Sequence, residues 1–279
     1  MGIRIITDSI CDVPNEYADR YGIRVMPLTV NFEDTSYIDG VDLTLEEFLK
    51  KLDTSEVLPT TSQVPPVDFL EAYKEEISLG NKVISIHASS QLSGTYSSAV
   101  IAKNQMPGAD IHVIDTMGIS LGAGLLGIKA ARLAEEGMEA EEIVKQIEVS
   151  KQRMKYLLIL DTLKYLQKGG RISLSASMLG SILSIKPILT VVNGKLEMLE
   201  KSRGMKKAIS TVINKIKDNG WSLDGKVVGI NHIVNLESRE MLEEQLKKEF
   251  NIKEFIKGEA GSVIATHAGP GAIAVHFEM

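Results

Sequence analysis

The sequence predicts an α/β fold in two parts: an N-terminal α/β domain with a parallel sheet, joined to a C-terminal α+β domain with a mixed or antiparallel sheet. Three observations predict it. Short apolar runs alternate with helical patterns through the first half, the mark of repeated βα units and so of a parallel sheet covered by helices. The second half changes texture, and its Asn193-Gly194 pair signals a hairpin, which requires antiparallel pairing. The length of 279 residues, at about 150 per domain, points to two domains, which we place at 1–155 and 156–279. No repeat or low-complexity linker separates the halves, so they should pack closely, with the ligand site in the cleft between them.

The elements follow in order. Ile3-Arg4-Ile5-Ile6-Thr7 reads as a strand that stops at Asp8-Ser9 and gives way to a helix after Asp12 and Pro14. Similar apolar runs predict strands at 24–30, 82–86 and 111–114. Thr44-Leu45-Glu46-Glu47 has capping-box spacing and predicts a helix over 45–52, because the Thr hydroxyl can accept from the N3 amide while Glu47 reaches back. Pro65-Pro66 opens a helix carrying Phe69, Leu70 and Tyr73. A long helical region covers 120–153 with a break at Gly137. Beyond it come a strand at 156–160, the hairpin at 188–199, helices at 205–217 and 237–250, and strands at 227–230, 252–256 and near both ends of 262–277.

Composition narrows the function. With 44% hydrophobic and 24% charged residues the chain is a globular one, too apolar for disorder. Its 31 Lys and Arg against 37 Asp and Glu give a net charge of -6, so no global positive field draws it to nucleic acid or anionic lipid. The single Cys11 cannot form an internal disulfide, and the N-terminus lacks the pattern of a signal peptide, so we expect a cytoplasmic protein. The apolar stretch 117–133 is interrupted by Lys129 and Arg132, leaving no span of ~20 uncharged residues and no integral membrane association.

Several motifs bear on chemistry. Gly122-Ala123-Gly124-Leu125-Leu126-Gly127 matches a dinucleotide-binding glycine pattern but starts seven residues past Asp115 among apolar neighbours, so it reads as a helix using small residues for close packing. Thr60-Thr61-Ser62-Gln63 and Ser89-Ser90-Gln91-Leu92-Ser93-Gly94-Thr95 each precede a helix and should lie at the carboxyl edge of the sheet. Hydroxyls and free amides there can seat a carboxylate or phosphate, although each loop also suits an ordinary helix cap. His87, at the end of the third strand, could approach Ser93 as a base, or pack in the core. Asp8 and Asp12 flank Cys11 and oppose thiolate chemistry. The five histidines show no metal-ligand spacing. Lys168-Gly169-Gly170-Arg171 and Lys201-Ser202-Arg203-Gly204 are small basic clusters suited to phosphate or to a solvated loop.

Taken together, Thr7-Asp8-Ser9, Thr61-Ser62-Gln63, the run from Ser89 through Tyr96, Lys168-Gly169-Gly170-Arg171-Ile172 and His267-Ala268-Gly269-Pro270-Gly271 resemble the DegV family in order and over essentially the whole chain. That resemblance implies a two-domain protein that binds a long-chain fatty acid between its domains. It further implies that the protein presents the fatty acid to a separate ATP-dependent fatty acid kinase, which phosphorylates the carboxyl group. The chain itself would be a carrier without catalysis or cofactor. Carried over residue by residue, Thr61 and Ser93 would hold the carboxylate with help from Ser62 and the Gly94 amide. Arg171, Arg203 and His267 would face the carboxyl end, toward acyl phosphate or the kinase. Val64-Pro65-Pro66 is a local variation after the first loop. Two other classes stay open: a hydrolase or phosphotransferase subunit using Ser93 or His267, and a lipid-sensing regulatory protein.

Overall fold

The computed structural model describes residues 2–172 and 185–279. In chain order the first half contains β1 (Ile3–Asp8), a 3-10 turn (Ser9–Cys11), α1 (Asn15–Tyr21), β2 (Arg24–Met26), β3 (Thr29–Phe32), β4 (Thr35–Ile38), α2 (Leu45–Thr54), β5 (Thr60–Ser62), α3 (Pro66–Ser78), β6 (Lys82–His87), α4 (Thr95–Asn104), β7 (Ile111–Asp115), α5 (Ser120–Glu135) and α6 (Ala140–Arg153). Strands β2-β1-β6-β7 form a four-stranded parallel sheet. Ile5, Ile6, Val83, Ile84 and Ile86 are buried in its inner strands, as expected of a sheet covered on both faces. The capping box of α2 is present: Thr44 Oγ1 accepts from the Glu47 amide at 3.2 Å, and Glu47 Oε2 accepts from the Thr44 amide at 2.9 Å.

The apolar run at 24–30 is two strands rather than one. Pro27, which lacks an N–H, separates β2 from β3, and β3 belongs to a small antiparallel sheet of order β4-β3-β5. The glycine pattern at 122–127 lies inside α5, where Gly124 is required by a close approach: a Cβ there would collide with the carbonyl oxygen of Cys11. These glycines serve helix packing.

The second half contains β8 (Met154–Ile159), α7 (Lys164–Lys168), β9 (Ile185–Val192), β10 (Lys195–Arg203), α8 (Met205–Asp218), β11 (Val227–His232), α9 (Leu236–Glu249), β12 (Glu254–Glu259), α10 (Ser262–Ala268) and β13 (Ile273–Glu278). Its six described strands form one mixed sheet of order β10-β9-β8-β13-β11-β12, in which β11 and β12 pair in parallel and the other neighbours are antiparallel. Asn193 and Gly194 turn the β9–β10 hairpin with φ of 48° and 78°.

Side-chain alternation gives this sheet two different faces. Leu157, Ile159, Val228, Val275 and Phe277 pack under α8 and α9. Tyr156, Leu158, Ala274, His276 and Asn231 occupy the other face, where Tyr156 and His276 lie against Gly122 of α5.

The segment opening at Ser262 is helical, although its apolar run predicts a strand. The reason is tertiary. Asp12 Oδ1 accepts from the Gly261 amide at 2.9 Å and Asp39 Oδ1 from the Ser262 amide at 3.0 Å, so carboxylates more than 200 positions away satisfy the first donors of α10.

Candidate functional site

The two hydroxyl-rich segments meet, although they arrive from different sheets. Ser89 through Gly94 follows β6 at the carboxyl edge of the parallel sheet, as expected. Thr61 and Ser62 lie on β5 of the small antiparallel sheet, where they pair with Val30 and Thr29 of β3. Thr61, Ser62, Ser93, Gly94, Arg171 and His267 line one chamber of about 300 Å³. Arg203 stands apart from them, exposed at the end of β10 opposite Ile185.

Each polar group in the chamber has a local reason for its position. Thr61 Oγ1 lies 2.8 Å from His267 Nε2, which joins β5 to α10. Burial, and then the charge of Arg171, push the His267 pKa down to about 4, so the imidazole is neutral at pH 7; its Nδ1 is buried with no partner among the described residues. Ser93 Oγ accepts from the Thr95 amide at 3.2 Å and lies 3.0 Å from Thr95 Oγ1, at the start of α4. Gly94 immediately precedes α4, whose first amides have no partner within the helix. Arg171 donates through Nε to the Leu92 carbonyl at 3.2 Å and through a terminal nitrogen to the Gly169 carbonyl at 2.6 Å, tying the end of α7 to the loop that carries Ser93.

Gln63, the last residue of the first hydroxyl segment, also belongs to the site. Its side chain crosses directly over Gly94, where any Cβ would collide with it, and donates to Ser98 Oγ at 2.8 Å. This bridge locks β5 to α4 and so sets the spacing between the two hydroxyl segments. The Gln-x-x-helix context and the glycine opposite were visible in the sequence, but their contact was not.

His87 does not act as a base for Ser93. It is fully buried, with Nδ1 2.8 Å from Asp8 Oδ2 and Nε2 2.6 Å from Ser85 Oγ, so both ring nitrogens are engaged beneath the loop. Cys11 is also fully buried, and burial together with Asp8 raises its thiol pKa well above the usual range. Among the described residues one group has ligand atoms close enough for a metal, Asp110, His112 and Glu141. Lys82 Nζ already lies 3.3 Å from Asp110 and 3.5 Å from Glu141.

The chamber adjoins two other cavities. Outward it shares Thr61, Arg171 and His267 with a wider mouth of about 490 Å³, bordered by Glu56, Tyr165 and Lys168. Inward it shares Ile119, Leu166, Leu196, Ile264 and His267 with a narrow apolar slot whose open volume is about 40 Å³. The slot floor crosses the mixed sheet from strand to strand: Leu196 on β10, then Leu189, Leu158, Ala274 and Asn231 on β9, β8, β13 and β11, the last four paired in a single cross-strand rung. A polar chamber thus lies against an apolar slot, an arrangement that suits an amphiphile with an anionic head.

Comparison with known proteins agrees in fold and family. A family model described as "Uncharacterised protein, DegV family" matches residues 2–279. A DegV domain-containing protein of Caldanaerobacter subterraneus subsp. tengcongensis is 43% identical over 276 residues, covering 99% of this chain and 98% of that protein. The structure reported as "Fatty Acid Binding of a DegV family Protein from Thermus thermophilus" superposes with a TM-score of 0.92 at 32% identity, covering 100% of both chains. A DegV family protein from Ruminococcus gnavus, described with vaccenic acid, gives a TM-score of 0.89 at 28% identity, covering 98% of this chain and 99% of that one.

Proposed function

The chain belongs to the DegV family, and on that premise we propose that it binds a long-chain fatty acid, with the carboxylate in the hydroxyl chamber and the tail in the apolar slot. The observation that carries this reading is the adjacency of the two cavities, which share Leu166, Leu196, Ile264 and His267 in their walls. The solved relatives from Thermus thermophilus and Ruminococcus gnavus, described with fatty acid binding and vaccenic acid, support the ligand class. In this reading Ser93, Thr61, Ser62 and the Gly94 amide donate to the carboxylate. With its proton on Nε2, neutral His267 donates to Thr61 and frees the Thr61 hydroxyl proton for the ligand.

The slot has a suitable length. Its floor runs across five neighbouring strands, about 19 Å at ~4.8 Å per strand, and an extended hydrocarbon advances roughly 1.25 Å per carbon, given a ~1.5 Å bond. About fifteen carbons therefore span the floor on this spacing. The small open volume means that a tail enters by parting side chains of the two layers.

The carrier role extends to presentation of the carboxylate, through the outer mouth, to a separate ATP-dependent fatty acid kinase. Arg171 and His267 border that exit, and Arg203 is left to contact the kinase itself. Among the described residues no helix is long and apolar enough to cross a membrane. The test is to purify the protein without detergent or added lipid, weigh it under native conditions, denature it and identify what is released. Stoichiometric fatty acid is the expected result; an empty protein that takes up no member of a fatty acid panel sinks the proposal.

A further inference from the structure

The far end of the slot is built differently from the rest of it. Four of the five floor positions are leucine or alanine, but the fifth, on β11, is Asn231, which is 3% exposed. Its amide is fully engaged. Nδ2 donates to Ser120 Oγ at 2.7 Å and to Asp12 Oδ2 at 3.3 Å, while Oδ1 lies 3.2 Å from His276 Nε2. Ser120 in turn donates to Asp12, whose other oxygen accepts from the Gly261 amide. Asn231 is therefore held from the first half of the chain, from α5 and from the neighbouring strand at once. A methyl terminus that reached it would have to displace buried hydrogen bonds instead of sliding past a rotatable apolar side chain.

We propose that Asn231, fixed by Ser120, Asp12 and His276, is the end-stop that sets the longest acyl chain this protein accepts. The inference rests on the fatty acid reading above and adds a specificity-determining residue to it. Ala274, one strand before the stop on the same rung, is the position from which the limit can be moved inward. A leucine there would occupy about one strand spacing, ~4.8 Å, equivalent to roughly four carbons.

The experiment is a competition among saturated fatty acids of graded length, read by native mass spectrometry on the full chain stripped of lipid, for the wild type, Ala274→Leu and Asn231→Ala. Ala274→Leu is expected to lose affinity selectively for the longest chains, about fourfold for each methylene excluded, and to keep its affinity for short ones. Asn231→Ala is expected to gain relative affinity for chains longer than the wild-type optimum. If Asn231→Ala does not fold, Ala274→Leu alone decides. An unchanged length profile in folded variants overturns the end-stop, as does an equal loss for all lengths, which would mark a general structural effect. Failure of the wild type to bind any fatty acid is a separate result: it overturns the fatty acid reading and takes the end-stop with it.

Discussion

The chamber and the slot are adjoining cavities made by opposite means. The chamber draws its hydroxyls from two short contiguous segments, 61–63 and 89–94, and each group is held by a specific hydrogen bond. The slot draws one residue from each of several strands that lie far apart in sequence, Leu158, Leu189, Asn231 and Ala274, and only strand pairing aligns them. Polar recognition needs particular groups in a particular geometry, so it concentrates in motifs. Apolar contact depends on area and scarcely on identity, so it can be distributed. Affinity should accordingly reside in the slot and orientation in the chamber.

The largest effect therefore concerns the tail. Shortening the ligand by four carbons removes about 3 kcal/mol at ~0.8 kcal/mol per methylene, roughly a 200-fold loss of affinity. Titration with saturated chains of two lengths measures it, and a loss below tenfold would break the comparison by placing the affinity in the head group. The next effect belongs to the chamber. Ser93→Ala removes one donor to a charged group and the cap on the Thr95 amide, for a loss of about tenfold or somewhat more. On the proposed carrier role, the same variant should harm acyl phosphate formation by a partner kinase more than it harms binding, because the carboxylate is then held but misoriented. Normal turnover per bound lipid together with absent lipid would reverse that division.

The two regions were unequally legible in the sequence, for the same reason. The βα alternation, the capping box at Thr44 and the hairpin at Asn193-Gly194 are local signals and appear where the sequence predicts them. So does the second hydroxyl segment after β6, whereas the first, expected as a loop at the carboxyl edge of the parallel sheet, is strand β5 of the small antiparallel sheet. The small sheet β4-β3-β5 is hidden because Pro27 divides what looks like one apolar run, and α10 carries a strand-like pattern because its capping carboxylates, Asp12 and Asp39, come from the opposite end of the chain. Nothing local distinguishes Ala274 or Leu189 from any other core residue, and Asn231 reads as an ordinary strand-end polar group until Asp12 and Ser120 are folded onto it.

The polar wall behind the slot also differs from the chamber in titration. Burial raises the Asp12 pKa to about 8, against the usual 3.8, so the folded protein keeps a proton on Asp12 at pH 7 that the unfolded chain has released. The unfolded state then binds fewer protons than the folded one, and stability falls as pH rises through this window. Between pH 6.5 and 8, where ordinary carboxylates are ionised in both states, Asp12 contributes a downward slope of up to ~1.4 kcal/mol per pH unit. The buried His267 and His276, whose pKa values burial lowers, push stability the other way at the lower end of that range, and do so in Asp12→Asn as well. Urea midpoints should therefore decline in the wild type relative to Asp12→Asn, whatever the absolute stability of the variant. A wild-type profile parallel to that of the variant would mean that Asp12 is ionised.

The smallest effect on binding is expected at Arg171, and it separates position from charge. Among the described contacts its guanidinium donates to two backbone carbonyls and to no carboxylate, so it braces the Ser93 loop from the open side of the chamber. Near solvent a single charge is worth about 1 kcal/mol or less, so Arg171→Ala should weaken fatty acid binding by no more than about fivefold. It should nevertheless change His267. Burial is the larger cause of the low His267 pKa and remains in the variant, while the charge of Arg171 is the second cause and is removed. The imidazole should therefore titrate part of the way from about 4 back toward its ordinary value, which proton NMR of the ring reports directly. At pH 7 that shift leaves His267 neutral and still able to donate to Thr61, so lipid should stay bound while, on the proposed carrier role, phosphorylation by a partner kinase slows for want of the cation at the exit. A His267 pKa that does not move, together with an unchanged kinase rate, would take the charge of Arg171 out of the site and leave it only its hold on Leu92.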